Sequence, residues 1–385
     1  MDPKLKSKLE SSPMFYLSSG SKELFHSNFL YWIGIKHRDL FEAIMTELCD
    51  IRDNWPTNWE VKREYKNFDL SVVYKDGSKN KPKEYFFIVL ENKVKSLPDA
   101  GQLVSYQTEI QKANKNKVCN CVLLSLVTSG ANLDSINKNN WKIKNYEDLV
   151  QIITNQTQQS STIKHKVFIE DYCDYVSTLS KVAASWELKK SDQYLTSDSD
   201  LIDLRLDDVY QKLRYSQMAV LLEEALKEGD VFKNTNNVDS PEIIMGMSSF
   251  EPIINNNKKA KVRHWWKDCE DRGIKGHVFI GWGMSHAVGF IEAGIRISDD
   301  CCFYIQVQGD RYCHAVVQSG IYKKAFSPQF NQEQENFINF DGQRSNEALC
   351  HYGDGFVYKY EKIDNKATIE DVINRMKNDI KKILG

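Results

Sequence analysis

No apolar run in this chain approaches the roughly 20 residues that a membrane-crossing helix needs. Met1-Asp2-Pro3-Lys4 also lacks the hydrophobic stretch of a secretory signal. The expectation is a cytoplasmic protein with no membrane partner. A surplus of one charge is missing as well, because the formal net charge is −2 over 385 residues. The chain is therefore no global polycation, and any affinity for a polyanion must come from local patches. Internal repeats and long low-complexity tracts are absent, which excludes a solenoid. Zinc-ligand spacing is missing too. Cys119-Asn120-Cys121 and Cys301-Cys302 fall in strand-like runs, and the nine cysteines form an odd set in a chain without a secretory signal. Reduced thiols are expected, with neither a disulfide framework nor a structural zinc.

What is present points first to organisation. A chain of 385 residues exceeds one comfortable hydrophobic core, so two domains are expected, at 1–188 and 205–385. The break falls between Leu188 and Asp208, where Lys189-Lys190-Ser191-Asp192 and Ser197-Asp198-Ser199-Asp200 are polar and poor in packing residues. The polar stretch Asn155 to Thr162 reads as a loop inside the first domain.

The chemistry concentrates between Asp69 and Lys93. Phe68 to Tyr74 is β-branched and aromatic, and Lys75-Asp76-Gly77-Ser78 supplies turn chemistry, so a hairpin is predicted. The returning strand, Tyr85 to Lys93, carries six consecutive apolar or aromatic residues without alternation, the mark of a strand covered on both faces. Side-chain alternation then puts Glu91 and Lys93 on one face and Asn92 on the other. Asp69 heads one strand and Glu91-Asn92-Lys93 closes the next. That layout suits phosphodiester hydrolysis, in which carboxylate oxygens hold Mg²⁺ and the metal polarises phosphate and lowers the pKa of a bound water. Asp69 and Glu91 are the predicted ligands, the Asn92 backbone carbonyl is a further one, and Lys93 offsets charge developing in the transition state. Glu64, on the preceding strand, competes with Asp69 for the ligand role. The alternative is a plain salt bridge at a strand end, since Glu-x-Lys recurs by chance.

In order and spacing of elements, Ser21 to Val127 resembles the PD-(D/E)XK nuclease superfamily, the restriction-endonuclease-like fold with an αβββαβ core. Ser21 would cap a helix bearing Phe25, Phe29 and Trp32; Trp59 to Tyr65 would be the first strand; Asp99 would cap a helix carrying Gln102 and Tyr106; Lys117 to Val127 would be the following buried strand. Asn145 to Leu179 fits as a closing helical segment. Gln102-Leu103-Val104-Ser105-Tyr106 is similar to the Gln-x-x-x-Tyr element of RecB-like branches, in which i to i+4 spacing stacks both side chains on one face. The stretch Glu23 to Trp32 resembles the opening helix of bacterial members that place an acid and a His-Ser pair here. The resemblance therefore implies site roles for Glu23, His26, Gln102 and Tyr106; ordinary helical roles for these residues are the alternative. One departure is Phe68 where the signature has Pro; the catalytic trio Asp69, Glu91 and Lys93 is intact. The resemblance implies a Mg²⁺-dependent endonuclease, with Mn²⁺ as a substitute, acting on DNA, by analogy in defence against foreign DNA, with homodimerisation as an option for cutting both strands.

The second half resembles no family. Tyr210 to Glu228 has helical periodicity. Gly276 to Gly281, Ala287 to Ile297, Cys301 to Gln308 and Arg311 to Val317 read as strands, the last three separated by Asp299-Asp300 and Gly309-Asp310 turns, and Thr368 to Leu384 is a closing helix. The prediction is an α+β accessory domain with an antiparallel meander that recognises a substrate or partner protein. Lys258, Lys259, Lys261 and Arg263 beside Trp265 and Trp266 form a mix that can hold phosphates while stacking bases. The competing reading places the tryptophans as packing anchors at a helix start, with the lysines solvating its outer side. A nuclease fold retained as a nucleic-acid- or protein-binding module is the rival from another class, and RNA remains an alternative substrate.

Overall fold

The computed structural model describes residues 1–18, 22–77, 82–94, 96–98, 100–127, 140–159, 163–196, 198–228, 242–248, 250–255, 258–263, 278–285, 288–296, 301–318, 332–340, 350–351 and 356–384. Ser21, Asp99, Trp265, Trp266, Asp299 and Asp300 lie outside them. The architecture is mixed α/β, with helices and two mixed sheets. The chain divides into two compact units, Met1–Glu187 with Asp198–Leu213, and Leu188–Ser197 with Arg214–Gly385.

In the first unit α1 (Pro3–Ser11), α2 (Pro13–Ser18), α3 (Lys22–Lys36) and α4 (Arg38–Leu48) precede β1 (Trp59–Tyr65), β2 (Phe68–Asp76) and β3 (Lys83–Lys93). Then come α5 (Ala100–Asn114), β4 (Asn120–Ser125), β5 (Trp141–Asn145), α6 (Tyr146–Gln158), α7 (Lys166–Ala184), α8 (Ser199–Asp203) and the start of α9 (Asp207–Glu228). The sheet order is β1-β2-β3-β4-β5, antiparallel from β1 to β3 and parallel from β3 to β5. Asn155 to Gln158 is helical rather than the predicted loop, because α6 continues to Gln158 with Ile152 and Ile153 buried.

Two local features aim β2 and β3. The β1–β2 connection is a two-residue turn: Tyr65 pairs with Phe68 while Lys66 and Asn67 take φ of 54° and 68°. Left-handed values at both positions match the twist of flanking antiparallel strands, and the tight return delivers Asp69 at once. Further along, Val72 pairs with Ile88 but Val73 with Phe86, so Phe87 is a bulge. The extra residue lets Phe86 and Val89, three apart, share one core with Leu103 and Ile110 of α5. From Val89 onward the odd-numbered residues of β3 therefore face α5. The opposite face is covered by α3, on which Gly34 permits close approach: a Cβ there would stand 2.9 Å from Val61 Cγ1.

In the second unit the end of α9 leads to β6 (Ile243–Met247), β7 (Phe250–Asn255), β8 (Lys258–Arg263), β9 (Val278–Ser285), β10 (Val288–Arg296), β11 (Cys301–Gln308) and β12 (Arg311–Gln318). After these come α10 (Gln332–Ile338), β13 (Cys350–His351), β14 (Phe356–Lys362) and α11 (Ile369–Leu384). The larger sheet runs β13-β14-β12-β11-β10-β9-β6; its ladders are antiparallel except β6 with β9. Buried Ile369, Val372, Ile373, Met376 and Ile380 give α11 one apolar stripe. Buried Asp379 on that helix accepts hydrogen bonds from Tyr312 at 2.9 Å and, at 2.8 Å, from His314. The basic run Lys258, Lys259, Lys261 and Arg263 lies in β8, hydrogen-bonded to β7 as a separate two-stranded sheet. Lys258–Arg263 is thus strand rather than the outer side of a helix, because its backbone pairs with Phe250–Asn255, while the helix start expected at Trp265 and Trp266 falls outside the described residues.

One side chain closes a gap in the first sheet. The β3–β4 ladder begins at Ile88 and Asn120, leaving Phe86 beyond its end. Buried Asn114 substitutes for the missing strand, accepting the Phe86 N–H at 2.8 Å and donating to the Phe86 carbonyl at 2.7 Å. Asn114→Ala should strand both backbone groups in the core and lower stability by about 1–3 kcal/mol; chemical denaturation of wild type and variant measures it.

Candidate active site

The ladder register assembles the site. Leu70 pairs with Leu90 and Ser71 with Val89, so the next pair outward on an antiparallel ladder is Asp69 with Glu91, side chains on one face. Asp69 Oδ2 accepts the backbone N–H of Asn92 at 2.7 Å, which fixes its direction. Lys93 Nζ donates to Glu91 Oε1 at 2.8 Å, as expected for alternate residues on one side of a strand. α5 completes this face. Gln102 Nε2 donates to Glu91 Oε1 at 3.2 Å and to the Tyr106 hydroxyl at 2.7 Å, and Tyr106 donates to the Asn67 carbonyl at 2.9 Å. Asp69, Glu91, Lys93, Gln102 and Tyr106 thus form one connected group, tied to the turn that precedes Asp69.

The Asn92 side chain serves the other face. It donates to Ser27 Oγ of α3 at 2.6 Å and accepts from the Tyr146 hydroxyl of α6 at 3.3 Å. Tyr146 escaped the sequence reading, since its only signal is the opposite parity of Asn92; Ser27 entered it as part of the His-Ser pair of α3, and here it meets the Asn92 side chain. Glu23 holds the chain as it leaves β3: its Oε1 accepts the Val94 N–H at 3.2 Å and the Ser96 hydroxyl at 2.7 Å. Its charge still acts on Asp69, Glu91 and Lys93.

Two expectations are corrected. His26 is fully buried, with Nδ1 2.9 Å from the Tyr172 hydroxyl and its ring 4.7 Å from that of Tyr146. It belongs to the aromatic core between α3, α6 and α7 because α3 is buried on two sides, with Leu30 and Ile33 under the same helix and Phe29 stacked on Tyr172. Glu64 does not compete with Asp69. It sits at the β1 end with φ of 49°, exposed, its carboxylate 3.6 Å from Arg63.

The electrostatics are under tension. Burial, then the neighbouring Asp69 charge, push the Glu91 carboxyl up to about 7, against the opposing pull of Lys93. Burial likewise raises Asp69, with the Asn92 N–H and Lys93 working against it. Lys93 resists the downward push of its own burial because Glu91 holds it charged, leaving its pKa above the ordinary value. Glu91 Oε2 is buried without a hydrogen-bond partner. Adjacent hard oxygens, one of them unsatisfied, fit a hard divalent cation, and Mg²⁺ commonly takes one or two carboxylates and completes its shell with water and phosphate. Among the described residues no group of three or more His, Cys, Asp and Glu side chains is arranged to hold a metal, so such a cation would rest on the pair. The described residues also contain no helix long and apolar enough to cross a membrane.

Comparison with known proteins gives one finding. Residues 14–174 match the family model of the PD-(D/E)XK nuclease superfamily. No curated protein and no solved structure matches the chain.

The raised Glu91 pKa has a testable sign. A carboxyl whose folded value lies above its unfolded value holds more protons when folded, so it destabilises the fold as pH rises from about 4.5 to about 7. In metal-free buffer Glu91→Gln should match wild type in stability near pH 5 and exceed it near pH 8 by roughly 1–3 kcal/mol. Scanning calorimetry with a chelator measures it; a gap that shrinks as pH rises would contradict the assignment.

Proposed function

We propose, with the superfamily match over residues 14–174 as premise, that the first unit is a metal-dependent nuclease. It hydrolyses phosphodiester bonds in nucleic acid, most simply as a DNA endonuclease. Nucleases of this superfamily generally use divalent metal ions, and Mg²⁺ suits the hard oxygens here, with Mn²⁺ as a substitute. The observation that carries the reading is the pair Asp69 and Glu91 on adjacent strands, with a Glu91 oxygen unsatisfied and Lys93 2.8 Å away. A purely structural salt bridge needs no second acid beside it.

The residues divide the work. Asp69 and Glu91 would hold the cation, with the Asn92 carbonyl as a further oxygen; a bound Mg²⁺ supplies Lewis acidity toward phosphate and acidifies water. The Asn92 N–H keeps the Asp69 carboxylate turned toward Glu91. Gln102 holds Glu91 in place and, through Tyr106, ties it to the turn before Asp69. Lys93, kept protonated by Glu91, is placed to offset negative charge as the phosphate is attacked. Glu23 keeps the chain after β3 in position and adds to the negative field that draws a cation in. The second unit is assigned recognition of substrate or of a partner protein, with the run Lys258, Lys259, Lys261 and Arg263 of β8 as its phosphate-contacting element. A role in defence against foreign DNA is the biological setting offered by analogy.

The deciding experiment is cleavage of plasmid and single-stranded DNA by the full chain with Mg²⁺ and with chelator. Asp69→Asn and Glu91→Gln should both abolish metal-dependent cleavage. Lys93→Ala should bind nucleic acid nearly normally yet lower turnover by about 10²–10³-fold, as loss of a transition-state contact does. Full turnover by Lys93→Ala would remove it from the mechanism, and chelator-resistant cleavage would remove the metal.

A further inference from the structure

The aromatic residues of α3 do more than fill a core. Between α3 and the start of α7 lies a cleft of about 380 Å³, lined by Phe25, Asn28, Phe29, Trp32, His165 and Phe168. That volume is at the small end of ligand sites. Its walls are ring faces and edges: Trp32 stands 5.3 Å from Phe168 and 5.8 Å from His165, both edge-on. Phe168 is 39% exposed, so one ring of the lining is open to solvent. His165 closes one end with φ of 62° and ψ of 27°, the left-handed conformation that His adopts more readily than most residues.

The polar groups select among occupants. Asn28 is the one amide among the described lining residues, and Arg63 donates to its Oδ1. The arginine therefore orients the amide, presenting the NH₂ end as a donor to whatever enters. The Arg63 guanidinium is itself partly exposed and steadied by Glu64 at 3.6 Å. On the ladder Arg63 pairs with Leu70, the residue after Asp69. At the other end, exposed Lys164 adjoins His165. An aromatic cleft that offers N–H donors from Asn28, Trp32 and His165, with Arg63 hydrogen-bonded to Asn28 at one end and Lys164 next to His165 in the chain at the other, has the makeup of a site for a base on a phosphate backbone. An aliphatic chain would use neither the amide nor the cations.

We propose that this cleft binds one unstacked nucleobase of a single-stranded stretch of the substrate, through its ring faces and through a base carbonyl or ring nitrogen accepting from Asn28. The proposal rests on the nuclease reading above and adds a base-binding position near the Asp69 end of the sheet. It makes the enzyme sensitive to a base that the metal site never touches. Duplex regions, whose bases are stacked, do not satisfy it.

The test uses the full chain, an oligothymidylate, and copies carrying a single abasic residue at successive positions, with affinity read by fluorescence anisotropy and cleavage read separately. Wild type should lose about 5- to 150-fold in affinity at one abasic position and little elsewhere, the range expected for one stacked base. Phe168→Ala and Asn28→Ala should weaken binding of the intact strand and erase that position-dependent loss. Their kcat at saturation should match wild type, with unchanged melting temperature as the control for folding. Cleavage with equal affinity for every abasic position overturns the cleft and leaves the nuclease reading standing. A position-dependent loss that persists in Phe168→Ala overturns it equally. Loss of self-association by Phe168→Ala with unchanged affinity for the strand would assign the cleft to a second copy of this chain and overturn the base site. A protein that neither binds nor cuts the strand overturns both readings.

Discussion

The antiparallel register of β2 with β3 is the constraint on which the site depends. Pairing of Leu70 with Leu90 puts Asp69 beside Glu91, and because side chains alternate, slipping the ladder by one residue would send one acid to the opposite face. Three devices hold that register. The left-handed turn at Lys66 and Asn67 begins it, Tyr106 fastens the turn through the Asn67 carbonyl, and the bulge at Phe87 sets which residues of β3 face α5. The same ladder that builds the core therefore aims the chemistry.

What the register brings together is electrostatically costly. Two carboxylates and an ammonium are withdrawn from water at the end of a buried strand, and burial alone raises both acids. Lys93 relieves part of the strain and the Asn92 N–H another part, but one Glu91 oxygen is left without a partner. Most buried polar atoms in proteins are paired, and among the described residues nine buried side-chain atoms are not, two of them carboxylate oxygens, on Glu91 and Glu147. The one on Glu91 is distinguished by the second acid beside it, and a divalent cation is the simplest group that would satisfy both.

The surroundings separate into groups that orient and groups that pack. Gln102 and Tyr106 orient from α5, and Ser27 and Tyr146 do so from the opposite face through the Asn92 side chain. His26 packs, although it lies one helical turn from Glu23. The difference is that α3 is covered on two sides. Its Leu30 and Ile33 are buried, while Phe29 and His26 meet Tyr172 of α7. A helix with two buried sides leaves little room for a polar face, and it is the first two turns, through Glu23 and Ser27, that reach the end of β3.

Much of this was legible in the chain. The unbroken apolar run before Glu91 announced a strand buried on both faces, since only such a strand dispenses with alternation. The Glu-x-Lys spacing placed Glu91 and Lys93 on one side because the period of a strand is two, and the i to i+4 spacing of Gln102 and Tyr106 stacked them because the period of a helix is near four. These are local consequences of backbone geometry. Nothing local, by contrast, states which residue of β2 lies opposite Glu91, that Phe87 bulges, that His26 turns toward α7, or that Lys258 to Arg263 pairs as a strand. Each depends on a partner distant in sequence, and a residue's own neighbours carry no record of it. The sequence alone thus determined which residues carry the carboxylates and the ammonium and on which side of their own element they stand. The tertiary structure alone decided which of them meet, because register and helix packing are set by long-range burial that no local period encodes.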